Sequence, residues 1–137
     1  MAGAMGNVLV VDDDAEYCQI VAQVLRDLGL SVRTATDGAA ALALLQEPSR
    51  PDLILLDLVM PTMDGVEFLG RLRDHPDRRL ARVPVVVMTG MPHHAPSLLR
   101  PYSADGLLVK PFAVRDLAAV AAQFCRGAAA SAGEPGA

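Results

Sequence analysis

The sequence predicts an α/β fold in which helices cover both faces of a five-stranded parallel sheet. Segments typical of strands and of helices alternate five times, the pattern of right-handed βαβ crossovers in a doubly wound sheet. Four of the strand segments are short, continuously apolar runs, as expected of strands buried on both faces; they are residues 8–11, 53–56, 85–88 and 107–109. A chain of 137 residues is long enough for one domain with a substantial core.

The first helix is predicted directly after the first strand. Asp13 and Glu16 have the spacing of a capping box, and Gly29 is suited to ending the helix. One apolar face follows from helical spacing and consists of Ile20, Val21, Val24, Leu25 and Leu28. We therefore expect this face to pack on the sheet.

The remaining elements follow in strict order. Residues 31–35 alternate in polarity, which predicts a strand at the edge of the sheet. Asp37 and Asp64 are suited to cap the second and third helices, and a last helix is predicted over residues 113–125. The segment 91–101 contains three prolines, so only a short, irregular helix fits the fourth connection.

The ends of the chain have no pattern that predicts a core. Residues 1–6 are small and residues 127–137 are rich in Ala and Gly, so we expect disorder at both ends, the second being a tail or the start of a linker. The predicted domain spans residues 7–126.

Composition excludes some classes of function. A net charge of −4 and a pI near 5.2 argue against direct nucleic-acid binding. No apolar stretch approaches the roughly 20 residues of a membrane span, and no signal peptide precedes the first strand. Cys18 and Cys125 lack metal-ligand spacing and are expected to be buried or half-buried free thiols, not a disulfide. Free thiols suit a reducing compartment, so we expect a cytoplasmic location. The arginines between residues 71 and 82 are interpreted as a solvated face.

Each apolar run stops at a residue able to handle phosphate or a metal ion. The first ends at Asp12 and Asp13, the next at Asp57, and the last two at Thr89 and Lys110. Parallel strands end at a common edge, where open α/β sheets bind their ligands. Three carboxylates placed there repel one another, and hard oxygen ligands without a nearby His or Cys favour Mg²⁺. Capping of the first helix alone would explain one aspartate, but not three on two strands.

This arrangement suits phosphoryl transfer to an aspartate. A carboxylate at Asp57, beside Mg²⁺ and an ammonium, would be held ionised and aimed as the nucleophile. Lys110 would neutralise charge on the transferred group, and Thr89 would donate a hydrogen bond to one of its oxygens.

Four separated motifs closely resemble the receiver domain of two-component response regulators. They occur in the same order and are Val10–Asp14, Asp57–Gly65, Met88–Gly90 and Val109–Phe112. The resemblance covers about residues 7–126 and implies a flavodoxin-like sheet with strand order 2-1-3-4-5.

The resemblance also implies roles for individual residues. Asp57 would receive a phosphoryl group from a histidine kinase or a histidine phosphotransfer protein. Asp13, Asp57 and the main-chain carbonyl of Val59 would bind Mg²⁺ directly, with Asp12 acting through water. Thr89 would be the switch hydroxyl and Lys110 the phosphate contact, preceding a cis bond to Pro111.

The same resemblance implies a signalling protein, not a turnover enzyme. The chain would lose the phosphoryl group by self-hydrolysis and would signal to a downstream protein or to an effector domain missing from this sequence. One departure is Leu107, where relatives commonly carry Tyr or Phe. We therefore hypothesise that phosphorylation shifts a conformational population without an aromatic rotamer change.

Two other functions remain open from sequence alone. Asp12 and Asp14 have the aspartate spacing of haloacid-dehalogenase-type phosphatases, although Ala15 and Glu16 depart from what should follow. Alternatively, the domain is a binding module whose partner is recognised without phosphorylation.

Overall fold

The computed structural model describes residues 6–58, 65–90 and 104–125. Five parallel strands form one sheet in the order β2-β1-β3-β4-β5, as the resemblance implied. The strands are β1 (Asn7–Val11), β2 (Ser31–Ala35), β3 (Leu53–Asp57), β4 (Val85–Thr89) and β5 (Gly106–Val109). The described helices are α1 (Ala15–Asp27), α2 (Gly38–Leu44), α3 (Gly65–Arg73), α4 (Arg78–Ala81) and α5 (Val114–Phe124).

Alternate residues of the central strands point into two separate cores, so the sheet is covered on both faces. Leu9 and Ile54 pack on one face with Phe68 and Leu72 of α3. Val8 and Leu55 pack on the other face with apolar residues of α1 and α5, including Leu25, Leu117 and Ala121. Every residue of β3 and β4 is buried, which confirms the prediction from their continuous apolar runs.

The edge strands are less protected, as predicted for β2. In β2 only Ala35 is buried. In β5, at the opposite edge, Leu107 and Val109 are 45% and 44% exposed, while Leu108 between them is buried. The apolar run at 107–109 is therefore a one-sided strand and not one buried on both faces.

The capping box predicted from Asp13 is wrong. Asp14 is the N-cap of α1, and its carboxylate accepts a hydrogen bond from the Tyr17 N–H at 3.0 Å. The pairing of β1 with β2 continues one residue past β1, because the Asp12 N–H donates to the Ala35 carbonyl, 3.1 Å away. Asp13 is thereby left at the sheet edge instead of in the helix cap.

The predicted apolar face of α1 is wrong at Ile20, whose side chain is 59% exposed. The buried positions are Cys18, Val21, Ala22 and Leu25, which have the i, i+3, i+4, i+7 spacing of one helical face. Ile20 lies about 100° around the helix from Val21. The buried face is completed by the smaller Cys18 and Ala22.

Other helix ends agree with prediction within one or two residues. Asp37 caps α2 by accepting from the Ala40 N–H at 2.7 Å, and Gly29 follows α1 with a φ of 92°. Helix α4, capped by Asp77, was not predicted. Asp64 and the proline-rich segment 91–101 lie outside the described residues.

A polar cluster joins the amino ends of the strands; we call it the amino edge and define it by Asn7, Asp52, Arg73, Val85 and Asp105. Asp52 accepts from the Asn7 N–H at 2.9 Å, and Asp105 accepts from the Val85 N–H at 2.8 Å and from Arg73 at 3.2 Å. The Arg73 side chain is 17% exposed, so the interpretation of the arginines as a solvated face is wrong at this position.

In the described ranges, no helix is long and apolar enough to cross a membrane.

Candidate functional site at the carboxyl ends of the strands

The polar residues predicted to converge do lie at one edge of the sheet, which we call the carboxyl rim: Asp12, Asp13, Asp57, Thr89 and Lys110. Asp12 and Asp13 follow β1, Asp57 ends β3, Thr89 ends β4 and Lys110 follows β5. Asp12, Asp57 and Thr89 are 1%, 8% and 5% exposed, whereas Asp13 is exposed. Val59, the remaining predicted ligand, lies outside the described residues.

The three aspartates can offer oxygens to a single metal ion. One carboxylate oxygen from each of Asp12, Asp13 and Asp57 lies within 4.8 Å of the other two. Lys110 supplies one positive charge beside them, so three carboxylates and one ammonium leave two negative charges. A divalent cation that prefers oxygen ligands, such as Mg²⁺, fits this donor set and its charge.

Lys110 is closer to Asp12 than to Asp57. Its Nζ lies 2.6 Å from Asp12 Oδ2 and 3.8 Å from Asp57 Oδ1. Burial alone lowers the pKa of Lys110, but the hydrogen bond to Asp12 and the charges of Asp12 and Asp57 outweigh it, so its pKa is raised. The ammonium therefore stays charged at neutral pH and balances part of the carboxylate charge.

Asp12 is held from two sides. Its Oδ2 accepts from Lys110, and its Oδ1 accepts from the Asp14 N–H at 3.0 Å. Beneath it, the Cys18 thiol donates to the main-chain carbonyl of Asp12 at 3.2 Å. The position of this buried carboxylate is thus fixed by the start of α1 and by the loop after β5.

The backbone brings Lys110 to the end of the neighbouring strand. The Lys110 N–H donates to the Thr89 carbonyl at 2.8 Å, extending the pairing of β4 and β5 by one residue. The Lys110–Pro111 peptide bond is cis, as the resemblance implied.

The first residue of α3, Gly65, lies so close to the end of β3 that only glycine fits. The Gly65 N–H donates to the Leu58 carbonyl at 2.7 Å. A Cβ at Gly65 would lie 2.3 Å from the Asp57 carbonyl oxygen and 2.6 Å from the Leu58 Cα. Gly65 was noticed in sequence only as part of a motif, because its steric requirement depends on a contact across the chain.

Tyr17 also belongs to this site, although no sequence pattern singled it out. The Lys110 Nζ lies 4.6 Å from the centroid of the Tyr17 ring, which in turn meets Phe112 edge-on. Burial, then the charges of Asp12 and Asp57, raise the pKa of Tyr17, with Lys110 opposing them, so its phenol stays neutral. The sequence could not have identified Tyr17, because its contact with Lys110 forms only when α1 packs on the sheet.

The comparison with protein families agrees with this geometry. The model of the response regulator receiver domain matches residues 8–122. The chain belongs to this family and is a receiver domain of two-component response regulators, a class that does not turn over external substrates.

Curated relatives include DNA-binding response regulators. MtrA of Mycobacterium tuberculosis is 37% identical over 114 residues, which are 82% of this chain and 47% of that protein. RpaA of Synechocystis, a DNA-binding dual master transcriptional regulator, is 36% identical over 84% of this chain and 47% of its own length. The chain thus spans about half the length of the curated relatives it matches.

Solved structures extend the comparison. The chemotaxis response regulator CheY4 of Vibrio cholerae is 34% identical with a TM-score of 0.78, over 88% of this chain and 98% of that one. The receiver domain of the sensor histidine kinase PA1611 from Pseudomonas aeruginosa, 25% identical with a TM-score of 0.78 over the same shares, has a magnesium ion coordinated in its active-site cleft. Family membership, together with the capping role of Asp14, argues against the phosphatase alternative.

Proposed function

We propose that Asp57 accepts a phosphoryl group from a histidine kinase or a histidine phosphotransfer protein. The observation that carries this proposal is the convergence of three carboxylates and the sole lysine at the carboxyl rim of a receiver domain. In the transfer, an Asp57 carboxylate oxygen attacks phosphorus and a new O–P bond forms. The bond from phosphorus to the donor nitrogen breaks, and its electron pair stays with the donor imidazole.

The neighbouring residues act by position and charge. Lys110 can move from Asp12 toward the transferred phosphoryl group, because its Nζ already lies 3.8 Å from Asp57. Thr89, buried at the end of β4, would donate its hydroxyl hydrogen to a phosphoryl oxygen. Water later attacks the same phosphorus, the bond from phosphorus to the Asp57 oxygen breaks with its electron pair returning to the carboxylate, and inorganic phosphate leaves, which ends the signal.

Asp13, Asp57 and the main-chain carbonyl of Val59 would hold Mg²⁺ directly. Asp12 would act through water, since both of its oxygens already have protein partners. When bound, Mg²⁺ supplies positive charge that the aspartates and the incoming phosphoryl group otherwise lack.

We further propose that the output passes to a downstream protein or to an effector domain joined to the receiver. The curated relatives named as DNA-binding are about twice as long as the segment they share with this chain. The net charge of −4 gives this chain itself no attraction for nucleic acid. The two buried free thiols suit a cytoplasmic location.

Mass spectrometry of the intact chain tests the acceptor. After incubation with Mg²⁺ and acetyl phosphate, the parent is expected to gain one phosphoryl group and Asp57→Asn none. Asp52→Asn is the matched control, because it removes a carboxylate at the other end of the same strand and is expected to be phosphorylated like the parent. An adduct on the Asp57→Asn variant, or none on the parent, would contradict the proposal.

The exposed edge of the sheet favours a second candidate, recognition of a partner without phosphorylation. Leu107 and Val109 of β5 are already about half exposed in the unphosphorylated chain, and no aromatic side chain at Leu107 can report the state of Asp57. Backbone chemical shifts of residues 106–109, measured by NMR with and without acetyl phosphate, distinguish signalling that depends on phosphorylation from recognition that does not. If these chemical shifts stay the same while Asp57 is phosphorylated, the second candidate is favoured.

A further inference from the structure

Tyr17 is fixed in place by the start of α1. It lies in the first turn of the helix, and its N–H donates to the Asp14 carboxylate at 3.0 Å. From this position its ring reaches the carboxyl rim, with the Lys110 ammonium 4.6 Å from the ring centroid. This distance is within the range at which the face of an aromatic ring attracts a cation.

A second aromatic ring fixes the orientation of the first. Phe112 packs against Tyr17 at a centroid distance of 6.0 Å and an angle of 75°, an edge-on arrangement favoured by aromatic quadrupoles. Phe112 follows Lys110 by only two residues. The segment that carries the ammonium therefore also carries the ring that orients Tyr17.

Lys110 needs such a constraint, because its ammonium lies at unequal distances from its two acidic neighbours, Asp12 and Asp57. Its Nζ is 2.6 Å from Asp12 but 3.8 Å from Asp57, and its side chain is 24% exposed. A lysine side chain is flexible, and its strongly hydrated ammonium gains by turning toward water. An aromatic face attracts the ammonium and limits that movement without adding another charged group to compete with an incoming phosphoryl group.

We propose that Tyr17 is a positioning residue for phosphoryl transfer, whose ring keeps the ammonium of Lys110 between Asp12 and Asp57. The inference rests on the proposed function, in which Asp57 is the acceptor and Lys110 contacts the transferred group. Tyr17 acts through its contact with Lys110.

The position of Lys110 can be measured without phosphorylation. Because Lys110 is the sole lysine, labelling with ¹³C-lysine gives one ε-methylene NMR signal. The ring current of Tyr17 is expected to move this signal upfield in the parent and in Tyr17→Phe, and the displacement is expected to disappear in Tyr17→Leu. The same signal in the parent and in Tyr17→Leu would overturn the inference.

The rate of adduct formation with acetyl phosphate at saturating Mg²⁺ tests the consequence. Tyr17→Leu is expected to react about three to ten times more slowly than the parent, the range that a partly buried cation–π contact provides, whereas Tyr17→Phe keeps the parent rate. Ile20→Ala is the matched control, since Ile20 lies on the same helix and lines the same apolar groove as Tyr17 but is exposed. Equal rates for the parent and Tyr17→Leu would overturn the inference.

The outcomes distinguish this inference from the proposed function. If the parent forms no adduct, both the proposed function and the role of Tyr17 are contradicted. If the parent and Tyr17→Leu form the Asp57 adduct equally fast, only the role of Tyr17 is contradicted. Urea unfolding checks that each variant is folded, and Tyr17→Met replaces Tyr17→Leu in both measurements if the latter fails that check.

Discussion

The two ends of the same sheet use similar residues in opposite ways. At the amino edge, Asp52 and Asp105 accept hydrogen bonds from backbone N–H groups, and Asp105 is also paired with Arg73. At the carboxyl rim, three aspartates lie close together and one lysine is near two of them, Asp12 and Asp57. The carboxylates of the amino edge are satisfied by hydrogen-bond donors within the chain, whereas the carboxyl rim keeps the larger excess of negative charge, two against one.

Under the proposed function, the polar groups of the amino edge stabilise the fold, and those of the carboxyl rim serve to bind a ligand. A carboxylate satisfied by the chain's own donors stabilises the fold without help. A cluster of carboxylates with too little positive charge destabilises it until a cation or a phosphoryl contact completes the set. Substitutions at the two ends are therefore expected to separate stability from Mg²⁺ binding.

The largest loss of stability is expected at Gly65, which lies against the end of β3 next to the carboxyl rim. Gly65→Ala places a methyl group 2.3 Å from the Asp57 carbonyl oxygen, so α3 or the end of β3 must move. We expect a loss of about 3 kcal/mol in the free energy of unfolding, measured by urea denaturation, as for severe overpacking. Gly90→Ala, whose added Cβ meets no atom within 4 Å, is expected to stay within about 0.5 kcal/mol of the parent. Equal losses in both variants would show that the contact at Gly65 relaxes easily.

The next effect tests the amino edge. Arg73 donates to the Ala81 and Val83 carbonyls at 3.0 and 2.8 Å as well as to Asp105. Arg73→Met keeps most of the apolar stem but leaves these acceptors without their donor, so we expect a loss of about 2 kcal/mol in stability. Mg²⁺ affinity, measured by calorimetric titration, is expected to stay at the parent value. A large fall in that affinity would mean that the two ends of the sheet are coupled.

Much of this comparison was accessible from the sequence, because it depends on strand ends. The apolar runs located four strands, and the rule that parallel strands share their carboxyl edge placed Asp57, Thr89 and Lys110 together. The strand order came from the resemblance to a family and not from the pattern. Family resemblance also supplied the cis bond before Pro111.

What the sequence could not provide were contacts between distant segments. The steric requirement at Gly65 and the ring of Tyr17 over Lys110 depend on how α3 and α1 sit on the sheet. Ile20 was wrongly assigned to the buried face because it is apolar, although its angular position around the helix lies outside that face. The role of Arg73 was missed because its partners at 81, 83 and 105 come together only after folding.

The two thiols lie near opposite ends of the sheet and offer a test by pH. Burial, and then the charge of Asp12 for Cys18 and of Asp52 for Cys125, raises each thiol pKa from 9.0 to about 11. The folded chain therefore holds these protons more tightly than the unfolded chain. Their stabilising contribution is complete below pH 9 and is lost as pH rises toward 11, by about 1.4 kcal/mol per thiol at pH 10. Urea unfolding of the parent and of Cys125→Ala at pH 8 and pH 10 measures this, and the variant is expected to lose less stability over that interval.

The smallest change in stability is expected for Asp13→Asn, and it is a gain where the other substitutions are expected to cause losses. Asp13 is the exposed member of the aspartate cluster, so Asp13→Asn removes one of the repelling charges without leaving a buried group unsatisfied. In metal-free buffer we expect a gain of about 0.5 kcal/mol, a modest value because solvent screens an exposed charge. Added Mg²⁺ is expected to raise the melting temperature of the parent but to have little effect on this variant, since a weaker ligand set stabilises less at the same concentration. Asp52→Asn at the amino edge is the control and is expected to respond to Mg²⁺ like the parent. If both variants lost the response, or neither did, the excess charge at the carboxyl rim would not be what recruits the cation.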